Sequence, residues 1–147
     1  MLTFNEWATK LEWAAVRAKN ELEIPTEAVM AEAEIEAKKV IGTYLYGWPQ
    51  LAPSTQADRV HHGYAANEPL LRTGEMRDSI EHKTTIEPYG SAGVLGSYSL
   101  IALWQEMGTS RIPPRPFLGG AMMRAGPLIE ITFGKFTMNL LTFGGTS

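Results

Sequence analysis

The sequence contains no cysteine. That removes disulfides, thiolate metal sites and cysteine nucleophiles from consideration. Histidine is scarce, with three residues in all, so a centre built on imidazoles has little to draw on. No apolar run approaches the roughly 20 residues that a bilayer-spanning helix needs. The most apolar stretch, Pro127–Phe143, is broken by Glu130 and Lys135. Met1–Lys10 lacks a basic start followed by an apolar run, so no secretory signal is read there. An excess of base is missing too: 13 lysines and arginines stand against 16 acids, whereas a reader of duplex DNA concentrates many bases on one face. What is present is 44% hydrophobic, 20% charged and 10% aromatic residues over 147 positions, the composition of a folded chain. The expectation is a single domain, 1–147, that works in solution inside the cell and buries roughly 70% of its unfolded-chain surface.

Charge is unevenly spread. Residues 1–50 carry eight acids and five bases, residues 51–87 six and four, and residues 88–147 two and four, giving −3, −2 and +2. The basic third is therefore the C-terminal one.

Residues 1–46 read as helix. Trp7, Leu11, Ala14, Ala15, Ala18 and Leu22 recur at three- and four-residue steps. Pro25 interrupts the run and suits the start of a second helix, so a joint is expected at Ile24–Glu27. The second run, to about Tyr46, places Ala28, Ala31, Ile35, Gly42 and Leu45 on one stripe and leaves Glu32, Glu34, Glu36, Lys38 and Lys39 for solvent. Two helices or one kinked helix both satisfy this pattern. Residues 47–75 read as a long irregular loop rich in proline and glycine, of the kind that is usually functional or adaptable.

Period-two alternation follows, with Met76, Ile80, Thr84 and Ile86 set against Arg77, Ser79, Glu81 and Lys83. Glu87-Pro88-Tyr89-Gly90 is turn chemistry. A second strand, with Ala92, Val94, Gly96 and Tyr98 on one face, completes a hairpin over 76–98. Leu100, Leu103, Trp104 and Met107 then fall at i, i+3, i+4 and i+7, which predicts a short helix over 99–108 ending at Gly108. Trp104, Met107 and Phe117 are assigned to the core. Thr109–Pro116 is an extended basic loop. From Leu118 through Met122, Ala125, Ile129, Phe133, Phe136 and Leu140, steps of four and three predict a C-terminal helix within 116–142, broken or kinked at Gly126-Pro127. The chain closes on Gly-Gly-Thr-Ser, read as a frayed tail. The fold class is α+β: a helix or kinked helix pair, a long loop, a sheet based on an antiparallel hairpin, a short helix and a C-terminal helix.

Positive evidence for catalysis is absent. His61 and His62 are adjacent and point apart, and no Asp or Glu is read at ligand spacing to them, so an exposed loop pair is favoured over zinc. His82 falls on the inward phase of its strand and reads as a half-buried, hydrogen-bonded histidine. Glu32 and Glu36 lie on a solvated stripe. Ser54, Ser91, Ser97 and Ser110 stand in no nucleophile-elbow pattern, and Gly93–Gly96 lacks the remainder of a phosphate cradle. No catalytic, cofactor or metal residue is assigned. Ile112–Pro116 would suit a polyproline ligand, although a rigid connector is the favoured reading.

Two ordered sets of motifs carry a resemblance. Trp48–Thr55 (WPQLAPST) followed by Leu71–Ile80 (LRTGEMRDSI) resembles the tail-completion proteins of long-tailed bacteriophages, where "W-P-x-L-x-x-S-T" leads to "L-x-x-T-G-x-L-x-x-S-I". Val94–Tyr98, Trp104–Thr109 (WQEMGT) and Arg115–Leu118 (RPFL) resemble the related neck, or head–tail joining, family, with its "V-G-x-x-x-x-Y" strand, "x-E-F-G-T" and "x-R-P-F-L". The matches span residues 48–125. Met107 replaces a usual aromatic, Met76 a frequent leucine, and Gly119-Gly120 a more polar stretch. The resemblance implies a small α+β virion protein without enzymatic activity or cofactor. Such subunits assemble into a ring, commonly of six copies, at the portal–tail junction, after residence in the host cytoplasm during assembly. Its partners would be further copies of itself and the adjacent portal-side and tail-tube proteins, with passive DNA passage and no membrane.

On that reading Trp48, Leu51, Arg111, Ile112, Pro114 and Arg115 are the expected contacts to adjacent rings. Ile129, Phe133, Phe136 and Leu140 are expected at a subunit interface or in the core. Rival readings are a tail terminator ring, a monomeric adaptor using the proline-rich loop, and a metal enzyme using the histidines.

Overall fold

The computed structural model describes residues 1–142. The Gly-Gly-Thr-Ser tail and the last residue of the Pro127–Phe143 stretch lie outside the described residues. The elements in order are α1 (Phe4–Glu21), α2 (Glu23–Val40), α3 (Pro53–His61), α4 (Glu75–Asp78), β1 (Ile80–Glu87), β2 (Gly90–Ser97), α5 (Leu100–Met107) and α6 (Leu118–Leu141). The class is α+β, with β1 and β2 as an antiparallel two-stranded sheet. The described residues group into two compact units, one from Met1–Met30, Lys83–Val94 and residues 126–142, the other from Ala31–His82 and Leu95–Ala125.

In the first unit, α1 begins with a capping box. The Thr3 hydroxyl accepts from the Glu6 N–H, and the Glu6 carboxylate accepts from the Thr3 N–H at 2.7 Å. Of its 18 residues only Ala14 is buried. The break before α2 falls at Leu22, and Pro25 sits inside the first turn of α2, where its missing N–H costs nothing. Thr26 and Ser91 share a short hydroxyl contact, and both hydroxyls reach the Leu22 carbonyl. Gly93 lies so close to Met30 that any Cβ there would collide with its thioether. Late in α6, Leu140 is buried and Phe133 and Phe136 are half-buried, while Ile129 is exposed.

The second unit holds the principal core: Ala37, Val40, Ile41, Trp48, Met76, Ile80, Ala102, Phe117 and Ala121. The buried face of α2 is Val29, Met30, Ala33, Ala37 and Val40, and Ile41 just past its end is buried as well. This departs from the expected Ala28–Ala31–Ile35 stripe, since Ile35 and Leu45 are exposed. Each stripe contains two alanines, and a methyl group says little about which face turns inward. The helix also ends at Val40 rather than Tyr46.

The expected loop over 47–75 contains α3 and the start of α4. Accordingly Met76 and Arg77 belong to a helical turn, and β1 starts at Ile80. β1 turns Ile80, His82 and Thr84 inward as expected, but Ile86 is exposed. β2 does not keep Ala92, Val94, Gly96 and Tyr98 in one environment, since Ala92 and Gly96 are half-buried and Val94 and Tyr98 exposed. Ser91, Gly93, Leu95 and Ser97 make the contacts, and Val94 and Tyr98 face out. The small residues among these contacts gave no apolar signal.

Phe117 is fully buried, but Trp104 and Met107 are 48% and 73% exposed and do not join the core. Instead α5 buries Ala102. Helix α6 runs unbroken past Pro127. The proline removes one hydrogen bond, to the Met123 carbonyl, without ending the helix.

Candidate functional site

The features of the second unit meet at a cleft of about 890 Å³, within the size range of ligand sites. Three segments build it. The first is α3, which begins on Pro53 and stops at Gly63, a residue at φ 78°. Arg59 on this helix is buried, and its guanidinium donates to the carbonyls of Glu68 and Leu71 at 2.9 and 2.6 Å. One buried cation thus gathers the segment after α3. Burial holds the Arg59 pKa below the ordinary guanidinium value, and the neighbouring charges of Arg72 and Arg115 act in the same direction. Leu70 in the same wall takes the left-handed conformation, φ 66°, which is costly for a leucine. Arg72 stacks over Tyr64 at 4.9 Å and pairs with Asp58 at 3.6 Å.

The second segment is α5 with the turn that follows. The Glu106 carboxylate accepts the N–H groups of Phe117, Leu118 and Gly119 at 2.8, 2.9 and 2.8 Å. It caps α6 with a negative charge at the positive end of the helix dipole. Gly108 has φ 75°, and a Cβ there would sit 2.9 Å from the Pro114 nitrogen. The Thr109 hydroxyl accepts from the N–H groups of Arg111 and Ile112, and the Thr109 N–H donates to the Ile112 carbonyl. The Glu106…Gly108-Thr109 and Arg115–Leu118 motifs are therefore two halves of one device, a capped helix reached through a closed turn. Gly119 and Gly120 belong to it: a Cβ on Gly119 would lie 3.1 Å from the Glu106 carboxylate, and one on Gly120 would collide with the Tyr46 ring.

The third segment is Gln50–Ala52, and the buried Arg115 of the turn ties to Pro49 just before it. The Arg115 N–H donates to the Gln105 carbonyl at 2.6 Å and its Nη2 to the Pro49 carbonyl at 3.2 Å. Its Nε and the side-chain oxygen of Gln105 are buried without a hydrogen-bond partner among the described residues.

Of the expected ring contacts, Leu51, Arg111, Ile112 and Arg115 meet at this cleft. Arg111 is exposed and Ile112 half-buried. Trp48 is instead a core residue, edge-on to Tyr46 at 5.5 Å, and Pro114 is exposed outside the cleft lining. Burial also removes Leu51 and Arg115 from the open surface on which contacts were expected. The four C-terminal residues, Ile129, Phe133, Phe136 and Leu140, belong to the other unit. Arg59, Arg72 and Gln105 are additions from the structure. Arg72 and Gln105 fall at unspecified positions of the quoted motifs and Arg59 lies outside them, so only their polarity marks them in the sequence.

The histidines are placed elsewhere. His61 and His62 are exposed and edge to face at 5.2 Å. Asp58, passed over in the sequence, lies 3.2 Å from His62. His82 is the half-buried, bonded residue expected: the Glu34 carboxylate lies 2.5 Å from its Nδ1 and accepts its N–H at 3.0 Å. No group of three or more potential ligands able to hold a metal occurs among the described residues, and no helix there is long and apolar enough to cross a membrane. What the cleft offers chemically is cationic hydrogen-bond donors beside apolar walls, an arrangement for holding an anion. No protein-family model, curated protein or solved structure matches the chain.

Proposed function

We propose that the chain is a structural ring subunit of a bacteriophage neck or tail end, a non-enzymatic protein that joins or completes the head–tail connection. The observation that supports this most is the outward face of α5. Leu100, Ile101, Leu103, Trp104 and Met107 are each 48–73% exposed, five of the eight residues of the helix. Large apolar patches of this kind mark surfaces that a partner covers. In the other unit α1 leaves Phe4, Leu11, Trp13 and Val16 exposed. A closed ring needs two different patches on each subunit, because its interfaces are heterologous, and these two helices are candidates for the pair. The motif series over residues 48–125 supplies the phage assignment. The adaptor reading finds less support, since the proline-rich turn is tied down by Thr109 and its Arg115 is buried.

Native mass spectrometry over a concentration series tests the proposal. The expected result is a discrete closed oligomer, six copies being the leading number, that falls to monomer in a Leu103→Asp/Trp104→Asp variant. A chain that stays monomeric at every concentration and does not add to preformed tails would overturn it.

A further inference from the structure

We propose that the arginine-lined cleft of α3, α5 and the Thr109–Pro116 turn binds a carboxylate-bearing peptide segment of a partner protein. This goes beyond the ring reading and does not depend on it, since every residue of the cleft belongs to one compact unit.

Charge is the first argument. Four arginines (Arg59, Arg72, Arg111 and Arg115) line the cleft against two carboxylates, Asp58 and Glu75. Asp58 is already engaged by Arg72 and His62. Among the described residues, Arg59, Arg111 and Arg115 make no ion pair. A cationic cleft in a chain of net charge −3 is a local reversal of sign, and such reversals attract a partner of opposite charge.

Burial is the second. Arg59 and Arg115 are only 8% and 5% exposed, and guanidinium groups held away from water without a counter-charge are costly. The Arg115 guanidinium is answered by one carbonyl and leaves its Nε unmatched, and the side-chain oxygen of Gln105, also in the cleft lining, is unmatched too. A carboxylate suits the planar fork of an arginine, which grips it through two parallel bonds. The Gln105 oxygen would in turn accept a backbone N–H of the same segment.

Shape decides among anions. Leu51, Leu70, Met76, Ile101 and Pro113 supply apolar wall, and a cleft of about 890 Å³ is far larger than a free phosphate. Two of the four arginines are recessed, whereas a nucleic-acid backbone is met by bases that project. An acidic residue flanked by apolar ones fits both the charge and the walls.

The test uses the full chain labelled on its arginine side chains. The probes are the blocked peptide Leu-Glu-Glu-Leu, its Leu-Gln-Gln-Leu counterpart, inorganic phosphate and a short DNA duplex. The acidic peptide is expected to shift the Arg115 Nε–H resonance and to bind at least about tenfold more tightly than the glutamine peptide or phosphate. Arg111→Gln should weaken binding about tenfold, and because Arg111 is exposed this variant keeps the fold. Arg115→Lys keeps the charge but loses the fork and should weaken binding as well. Any of four results would overturn the proposal: equal binding of the glutamine peptide, phosphate or DNA binding at least as tightly, Arg111→Gln without effect, or no binding of the acidic peptide at about 10 mM.

Discussion

In the unit built from Ala31–His82 and Leu95–Ala125, the large side chains of Phe117, Ile80 and Val40 have almost no contact with water. In the unit built from Met1–Met30, Lys83–Val94 and residues 126–142, the 18-residue helix α1 buries only Ala14. Both units are rich in apolar residues, but among the described residues the unit of Ala31–His82 and Leu95–Ala125 buries twelve hydrophobic side chains and the other four. The difference teaches that apolar content and apolar burial are separate quantities. A chain of this size can pack one region densely and leave another open, and α5 shows both behaviours within eight residues: Ala102 inward, Trp104 outward.

That contrast can be broken most directly at Phe117. Phe117→Ala removes a fully buried ring and should cost about 3–5 kcal/mol, read by urea unfolding. A loss below about 1 kcal/mol would mean that the second unit is no better packed than the first.

A smaller effect is expected at Glu34, whose carboxylate takes Lys38 at 2.5 Å on one oxygen and the N–H of His82 at 3.0 Å on the other. The hydrogen bond from Lys38 is the main reason its pKa lies below the ordinary 4.5; His82 adds to that and burial opposes it. The folded value is therefore lower than the unfolded one. The stability it contributes is fully present above the ordinary value and is lost as pH falls through the folded one. Glu34→Gln should cost about 1 kcal/mol near neutrality, and the difference from wild type should shrink as pH falls through the lowered folded value. A difference independent of pH would show that packing, rather than charge, holds β1 to α2 at this point.

The smallest stability effect belongs to Trp104. Because it is half-exposed, Trp104→Ala should change monomer stability by only about 0.5 kcal/mol, while reducing oligomer formation in native mass spectrometry. A loss of several kcal/mol would return Trp104 to the core and erase the distinction between the two faces of α5.

The sequence showed where helices form far better than which way they face. Leu100, Leu103, Trp104 and Met107 have the spacing of a helix stripe and do form one, yet the stripe points to solvent. Periodicity records amphipathicity, and it contains nothing about whether the partner surface belongs to the same chain. In α3 the helix itself escaped notice. Its buried face is Arg59 and its Val60 is exposed, so the apolar pattern that announces a helix is inverted, leaving Pro53 at the first turn as the usable signal. The cleft was half legible. Arg111 and Arg115 stand out in a proline-rich run, whereas Arg59 and Arg72 reach it through long-range folding. The Gly119-Gly120 pair, a departure from the phage motif when read as letters, becomes intelligible once the Glu106 carboxylate and the Tyr46 ring are seen against it.

The methionines are distributed by the same division. Met30 and Met76 are buried, while Met107, Met123 and Met138 are 73%, 82% and 59% exposed. With no cysteine to intercept oxidants, thioether oxidation would fall first on these three and on the exposed Met1, turning soft apolar contacts into polar sulfoxides. Ageing in air would then dull the surfaces of this protein before it loosened the interior, and stored material would keep its melting temperature while its outer apolar faces turned polar.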